Sequence, residues 1–221
     1  MNKFSFCFLL IFKALVIQNM TLANEDRFIA LDGKVTFVQD SNSWLKLTVP
    51  FRVLELPDFL ADAGKSQDPE DVINDKFLDD LKIKVVICCR NEFVRKELRG
   101  DKKDIKFNEY FSAEIELITT EIDRGIKKEA HFLFPKVIAD KMELGTFPDL
   151  VGYAIEFSVK GNLLEISDGI YFDRYKTKDI LDKFQTEAWN KSSQNENILI
   201  PGYLIYPNYL DDLGPAKRDS L

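Results

Sequence analysis

Apolar and polar side chains alternate with a period of two in several separate runs of this sequence, and that pattern leaves few architectures open. In Trp44–Leu54, Leu45, Leu47, Val49, Phe51 and Val53 share one face, while Lys46, Thr48 and Arg52 share the other with Pro50. Leu81–Cys89 repeats the pattern with Ile83, Val85 and Ile87 against Lys82 and Lys84. Phe111, Ala113, Ile115 and Leu117 alternate with Ser112, Glu114 and Glu116, and Tyr153–Lys160 behaves likewise. Successive side chains of a strand point to opposite faces, so each run reads as a half-buried strand. Pro50 has no N–H to give to a ladder, which predicts an edge strand or a bulge at that position.

Turn residues fall between these runs. Asp40-Ser41-Asn42-Ser43 separates Lys34–Gln39 from the Trp44 run, Gly161-Asn162 follows Lys160, and Asp168-Gly169 precedes Ile170–Phe172. Each fits a hairpin loop or tight turn. Roughly seven to nine antiparallel strands with one wet and one oily face imply a mainly β sandwich of antiparallel sheets packed face to face. Helices are few. Asp68-Pro69-Glu70-Asp71 predicts a capped helix start whose apolar stripe would run through Val72, Ile73, Phe77 and Leu78. Pro135–Glu143 predicts a short helix stopped by Gly145, and Thr177–Lys191 a longer amphipathic one with Ile180, Leu181, Phe184 and Ala188 on its dry side. Ile198–Tyr206 reads as a closing strand broken at Pro201-Gly202, and 211–221 as an unstructured tail.

The N-terminus points to export. Lys3 precedes an apolar run from Phe4 to Ile17, and Thr21-Leu22-Ala23 supplies small residues for a signal-peptidase site. The run is shorter than the roughly 20 residues of a membrane span. Residues 1–23 are therefore expected to be a signal peptide and 24–210 a single domain. No later stretch predicts a span. A formal charge of −7 argues against nucleic-acid partners, which select basic surfaces.

Residues suited to chemistry are sparse. His131, the single histidine, stands in Glu129–Phe134, a strand-like run that pairs it with Leu133 on one face. One histidine excludes His-rich metal sites, and no Gly-x-Ser-x-Gly elbow presents a nucleophile. Cys88 and Cys89 are neighbours on a strand, so they face opposite ways and suit burial more than a disulfide. Asp71, Asp75, Asp79 and Asp80 cluster without the spacing of a calcium loop. Nothing in the motifs calls for a cofactor, a metal or a catalytic residue. The candidate partner surface is aromatic: Trp189 with Tyr203, Tyr206 and Tyr209, joined by the Pro50 strand edge.

The leader, the Trp44-Leu45-Lys46-Leu47-Thr48-Val49-Pro50-Phe51 strand and the Ile200-Pro201-Gly202-Tyr203 segment resemble exported immunoglobulin-like proteins encoded beside type IV pilus assembly genes in mucin-dwelling gut bacteria. A polymerising pilin's own signal is missing. The resemblance implies a non-enzymatic accessory or surface protein whose partner is a protein of the envelope or the pilus. The alternative expectations are a carbohydrate-binding module, a glycosidase working with two carboxylates, or a carrier of a small apolar ligand.

Overall fold

The computed structural model describes residues 27–63, 73–148, 150–173, 175 and 177–217; the expected signal peptide lies outside them. Among the described residues ten strands form two antiparallel sheets. In the first sheet β3 (Leu45–Val53) lies between β6 (Lys128–Phe134) and the pair β1 (Ile29–Leu31) and β2 (Thr36–Gln39), with β10 (Ile200–Pro201) beyond β6. In the second, β4 (Phe77–Arg90) lies between β5 (Asn108–Glu121) and β7 (Leu150–Val159). Along the outer side of β7 run β8 (Asn162–Leu164) and β9 (Ile170–Phe172). Among the described residues the α-helices are α1 (Asp58–Ala63), α2 (Glu92–Glu97), α3 (Lys136–Lys141) and α4 (Lys178–Ser192). No described helix is long and apolar enough to cross a membrane.

This is the mainly β sandwich that the alternation predicts. Leu47, Val49, Phe51 and Val53 of the first sheet meet Ile83, Val85, Ile87 and Phe157 of the second in one dry core. Phe51 and Phe157 touch across the sheets with ring centroids 5.3 Å apart. A smaller core fills the outer face of the second sheet, where Val86, Cys88 and Ala154 pack under Phe184 and Ala188 of α4. β4 is therefore covered on both sides, which explains why Val86–Cys89 reads as a continuous apolar run. Cys88 and Cys89 are both buried, one in each core, as adjacent strand positions require.

The turns behave as their residues dictate. The Asp40 carboxylate accepts from the N–H groups of Asn42 and Trp44, both at 2.9 Å, and closes the β2–β3 hairpin. The β7–β8 turn sits one residue earlier than expected, on Lys160-Gly161, whose φ values of 49° and 82° fit a type I′ turn.

Four expectations are corrected. Pro50 lies on an interior strand and is buried, not at an edge. β3 itself pairs with β6 in unbroken register through Pro50, without the expected bulge; the outer strand breaks instead, into β1 and β2, and the N–H of Asp32 donates to the Pro50 carbonyl at 3.0 Å. The helix expected from Asp68 starts outside the described residues, but Phe77 and Leu78 belong to β4. Neighbouring apolar residues at a strand start satisfy helical spacing equally well. The closing strand shrinks to Ile200–Pro201, because Gly202 is wedged beneath Tyr209 and the His131 carbonyl and the chain turns there into a 3-10 helix. The described part of the expected tail, residues 211–217, packs along β5: the N–H of Ile118 donates to the Pro215 carbonyl, and that of Lys217 to the Glu116 carbonyl, both at 2.7 Å.

Candidate functional site

A sandwich whose sheets do not close on each other has open sides, and the side between β2 and β9 is lined with aromatic rings. Both are terminal strands of their sheets. The N–H of Asp40 donates to Trp44, which fixes the phase of the β2–β3 ladder. By alternation Val38 and Thr36 also turn their backbone groups to β3, and those of Phe37 face outward. Just beyond, the outward N–H of Gln39 is taken by the carbonyl of Thr146 at 3.0 Å. That contact pins the loop after α3 beside β2 and holds out Phe147, 81% exposed. On the facing sheet Tyr171 of β9 lies opposite Tyr153 of β7, and the rings stack with centroids 5.6 Å apart.

Together Val35, Phe37, Phe147, Leu150, Tyr153 and Tyr171 line a groove of about 650 Å³. Burial pushes the Tyr153 phenol above its usual value, with Asp168 and Tyr171 adding to the effect. It is therefore a lasting hydrogen-bond donor at neutral pH. A strand edge beside aromatic pockets is the equipment for gripping an extended chain.

The aromatic surface read from the sequence divides in two. Tyr206 and Tyr209 sit on the outer face of the first sheet, 5.5 Å apart edge to face. Tyr209 also lies 4.5 Å from His131 and beneath the Lys46 ammonium. Tyr203 is partly buried, and its hydroxyl donates to the Lys217 carbonyl, so it holds the tail in place. Trp189 is on the opposite side of the molecule, on α4 over the second sheet, with the Lys84 ammonium 4.5 Å from its ring. Pro50 is on neither surface. Sequence reasoning missed the groove. The available signal was Phe147-Pro148, an aromatic in a loop too short to bury it.

His131 shares a hydrogen bond of 3.2 Å with the Thr48 hydroxyl, and its pKa falls to about 4. Burial is the main cause and the nearby Lys46 charge the second, with Glu129 opposing both. Above about pH 6.5 the ring is neutral whether the chain is folded or not. As pH falls from there towards 4, the unfolded chain takes up a proton that the folded chain refuses. Stability then drops, by no more than about 2 kcal/mol after allowance for solvent screening at this partly open site. Urea unfolding at pH 7 and pH 4.5 should show a smaller difference for His131→Gln than for the unchanged chain; equal differences would refute this reading of the environment.

No protein-family model matches the sequence, and no curated protein does. Among solved structures, a protein from Akkermansia muciniphila, a mucin-dwelling gut bacterium, matches with a TM-score of 0.50 and 12% identity over 89% of this chain and 97% of that one. The likeness shows a shared fold across nearly all of both chains.

Proposed function

We propose that this chain is an exported, non-enzymatic interaction module of the cell envelope that captures an extended segment of a protein partner, with pilus components as the expected partner class. The groove between β2 and β9 carries the proposal. The β2 edge supplies main-chain donors and acceptors at Phe37, and the rings of Phe147, Tyr153 and Tyr171 supply pockets for alternate side chains of the guest. Export rests on the character of residues 1–23. The pilus connection rests on the resemblance of the Trp44–Phe51 and Ile200–Tyr203 segments, and a fold shared with a protein of a mucin-dwelling bacterium is compatible with it.

A displayed library of random peptides tests the mechanism. Selected peptides should alternate apolar with polar residues and should slow amide exchange at Phe37. Phe147→Ser and Tyr171→Ser should each weaken their binding by about tenfold or more, the usual loss when an aromatic anchor is truncated. Peptides that bind both variants as tightly as the unchanged chain, or leave Phe37 unprotected, would sink the proposal. A photo-crosslinker at position 147 in envelope extract then tests the partner class: capture of pilus subunits favours it, and capture of unrelated proteins removes it.

Glycan binding is the second reading. It draws on the Tyr206–Tyr209 pair beside His131 and Lys46, where partly exposed rings and polar groups meet. A glycan array discriminates it, since Tyr209→Ala would abolish sugar binding and leave peptide capture intact.

A further inference from the structure

The pole of the sandwich where β4 passes into β5 and β6 into β7 differs in charge and polarity from the rest of the molecule. The two connections, residues 91–107 and 135–149, carry eight Lys and Arg against seven Asp and Glu, whereas the remainder of the chain carries 22 against 30. Arg99, Lys102, Lys103 and Lys141 are exposed and have no ion pair among the described residues. Between them stand Phe93, Leu98, Ile105 and Val137, all exposed, with Val137 at 72%. α2 buries none of its residues against the body of the protein.

These pieces form one surface. The N–H groups of Glu92 and Phe93 donate to the Met142 carbonyl at 3.0 and 3.4 Å, and Lys96 pairs with Glu143. The N–H of Asn91 donates to Phe107, and Gly100 lies so close to the Phe107 ring that a Cβ would come within 2.2 Å of it. α2, the 98–107 connection and the end of α3 are thereby held together, while their apolar side chains are left to solvent.

We propose that this pole docks on the anionic surface of a phospholipid bilayer. Lys and Arg side chains meet headgroup phosphates, and the apolar side chains between them enter the headgroup layer. Charge complementarity selects this occupant: among the described residues, the exposed groups of the pole without ion pairs are four cations, Arg99, Lys102, Lys103 and Lys141, against two carboxylates, Glu97 and Asp101, in a chain that is acidic elsewhere. The four apolar residues line neither the β2–β9 groove nor the Tyr206–Tyr209 cluster; they stand singly among cations, which is how an interfacial anchor is built and not how a peptide pocket is built.

The full chain is tested by co-sedimentation with equimolar phosphatidylglycerol–phosphatidylcholine vesicles and with phosphatidylcholine vesicles. The anionic vesicles should retain at least about tenfold more protein, and raised salt should release it. Reversing two cations in Lys102→Glu/Lys103→Glu, or removing apolar reach in Leu98→Ser/Val137→Ser, should each lower retention by about tenfold or more. All variants share one N-terminus, so their differences report the pole alone. These side chains are exposed, and an unchanged melting temperature verifies folding. Tyr171→Ser should bind vesicles normally, which separates this surface from the peptide groove. Equal retention on both vesicle types, or retention of both double variants at the unchanged level, overturns the proposal and leaves a protein as the pole's partner.

Discussion

Phe51→Ala should lower the stability of the folded chain by about 3–5 kcal/mol, the range for removing a fully buried phenylalanine ring. Phe51 has no exposed surface and lies in the middle of the core. Its strand is interior, with Leu31 opposite on one side and Lys128 on the other, so the backbone cannot easily move in to fill the space. Its ring meets Phe157 of the facing sheet at an interplanar angle of 49°. Truncation therefore removes buried apolar area and also strips the Phe157 ring of its packing partner. Urea unfolding should show the midpoint moving with little change in slope. Phe51→Leu, which keeps most of the volume, should lose less than half as much. A loss for Phe51→Ala below about 1 kcal/mol would mean that the two sheets are not packed as described.

Gly214→Ala should detach the C-terminal strap and lower stability by about 2–4 kcal/mol, combining an unfavourable backbone conformation with overpacking. Gly214 has a φ of +97°, where an L side chain is strained, and a Cβ there would lie 2.2 Å from the Thr119 carbonyl oxygen. The neighbour in question is backbone of β5, so it cannot swing away. The strap holds much together: Leu213 is buried in the main core, Ala216 bridges to Leu117, and the Lys217 ammonium reaches Asp80 and Glu116 at 2.7 Å each. Detachment is the ceiling on the loss, because the chain can release these contacts and keep both sheets. Faster amide exchange at Ile118, whose N–H donates to Pro215, is the specific readout. Normal exchange at Ile118 in a destabilised variant would place the damage elsewhere. Release would also uncover the edge of β5, and an uncovered edge invites pairing between molecules.

The sequence made the class of fold plain because a sheet that packs on one face writes its sidedness into every second residue. Leu45 to Val53 and Ile83 to Ile87 could hardly be read otherwise. α4 was legible in part: Phe184 and Ala188 of the expected stripe are buried, together with Ser192, whereas Ile180 is exposed and Leu181 half-buried, because the stripe's first turn extends past the sheet it covers. Neighbours in space were not legible. Nothing local to Pro50 reveals that a second strand lies outside it, and the missing N–H is accommodated by breaking that outer strand in two. Likewise Trp189 and Tyr209 are 20 positions apart, and only the layer order puts the two sheets between them. The groove draws on three separated stretches, 35–38, 147–153 and Tyr171, none of which carries a motif. α2 left no trace because all its residues stay wet, so there is no stripe to detect; its Asn91 cap, accepting from the Val94 N–H at 3.1 Å, is the sole local signal.

The two adjacent thiols of β4 turn this molecule into its own unfolding gauge. One is sealed beneath α4 and the other between the sheets, and burial raises the Cys88 pKa to about 12. An alkylating reagent can reach either sulfur only while the layer above it is lifted. The order in which the neighbours are modified would thus tell which layer peels first, with no label introduced.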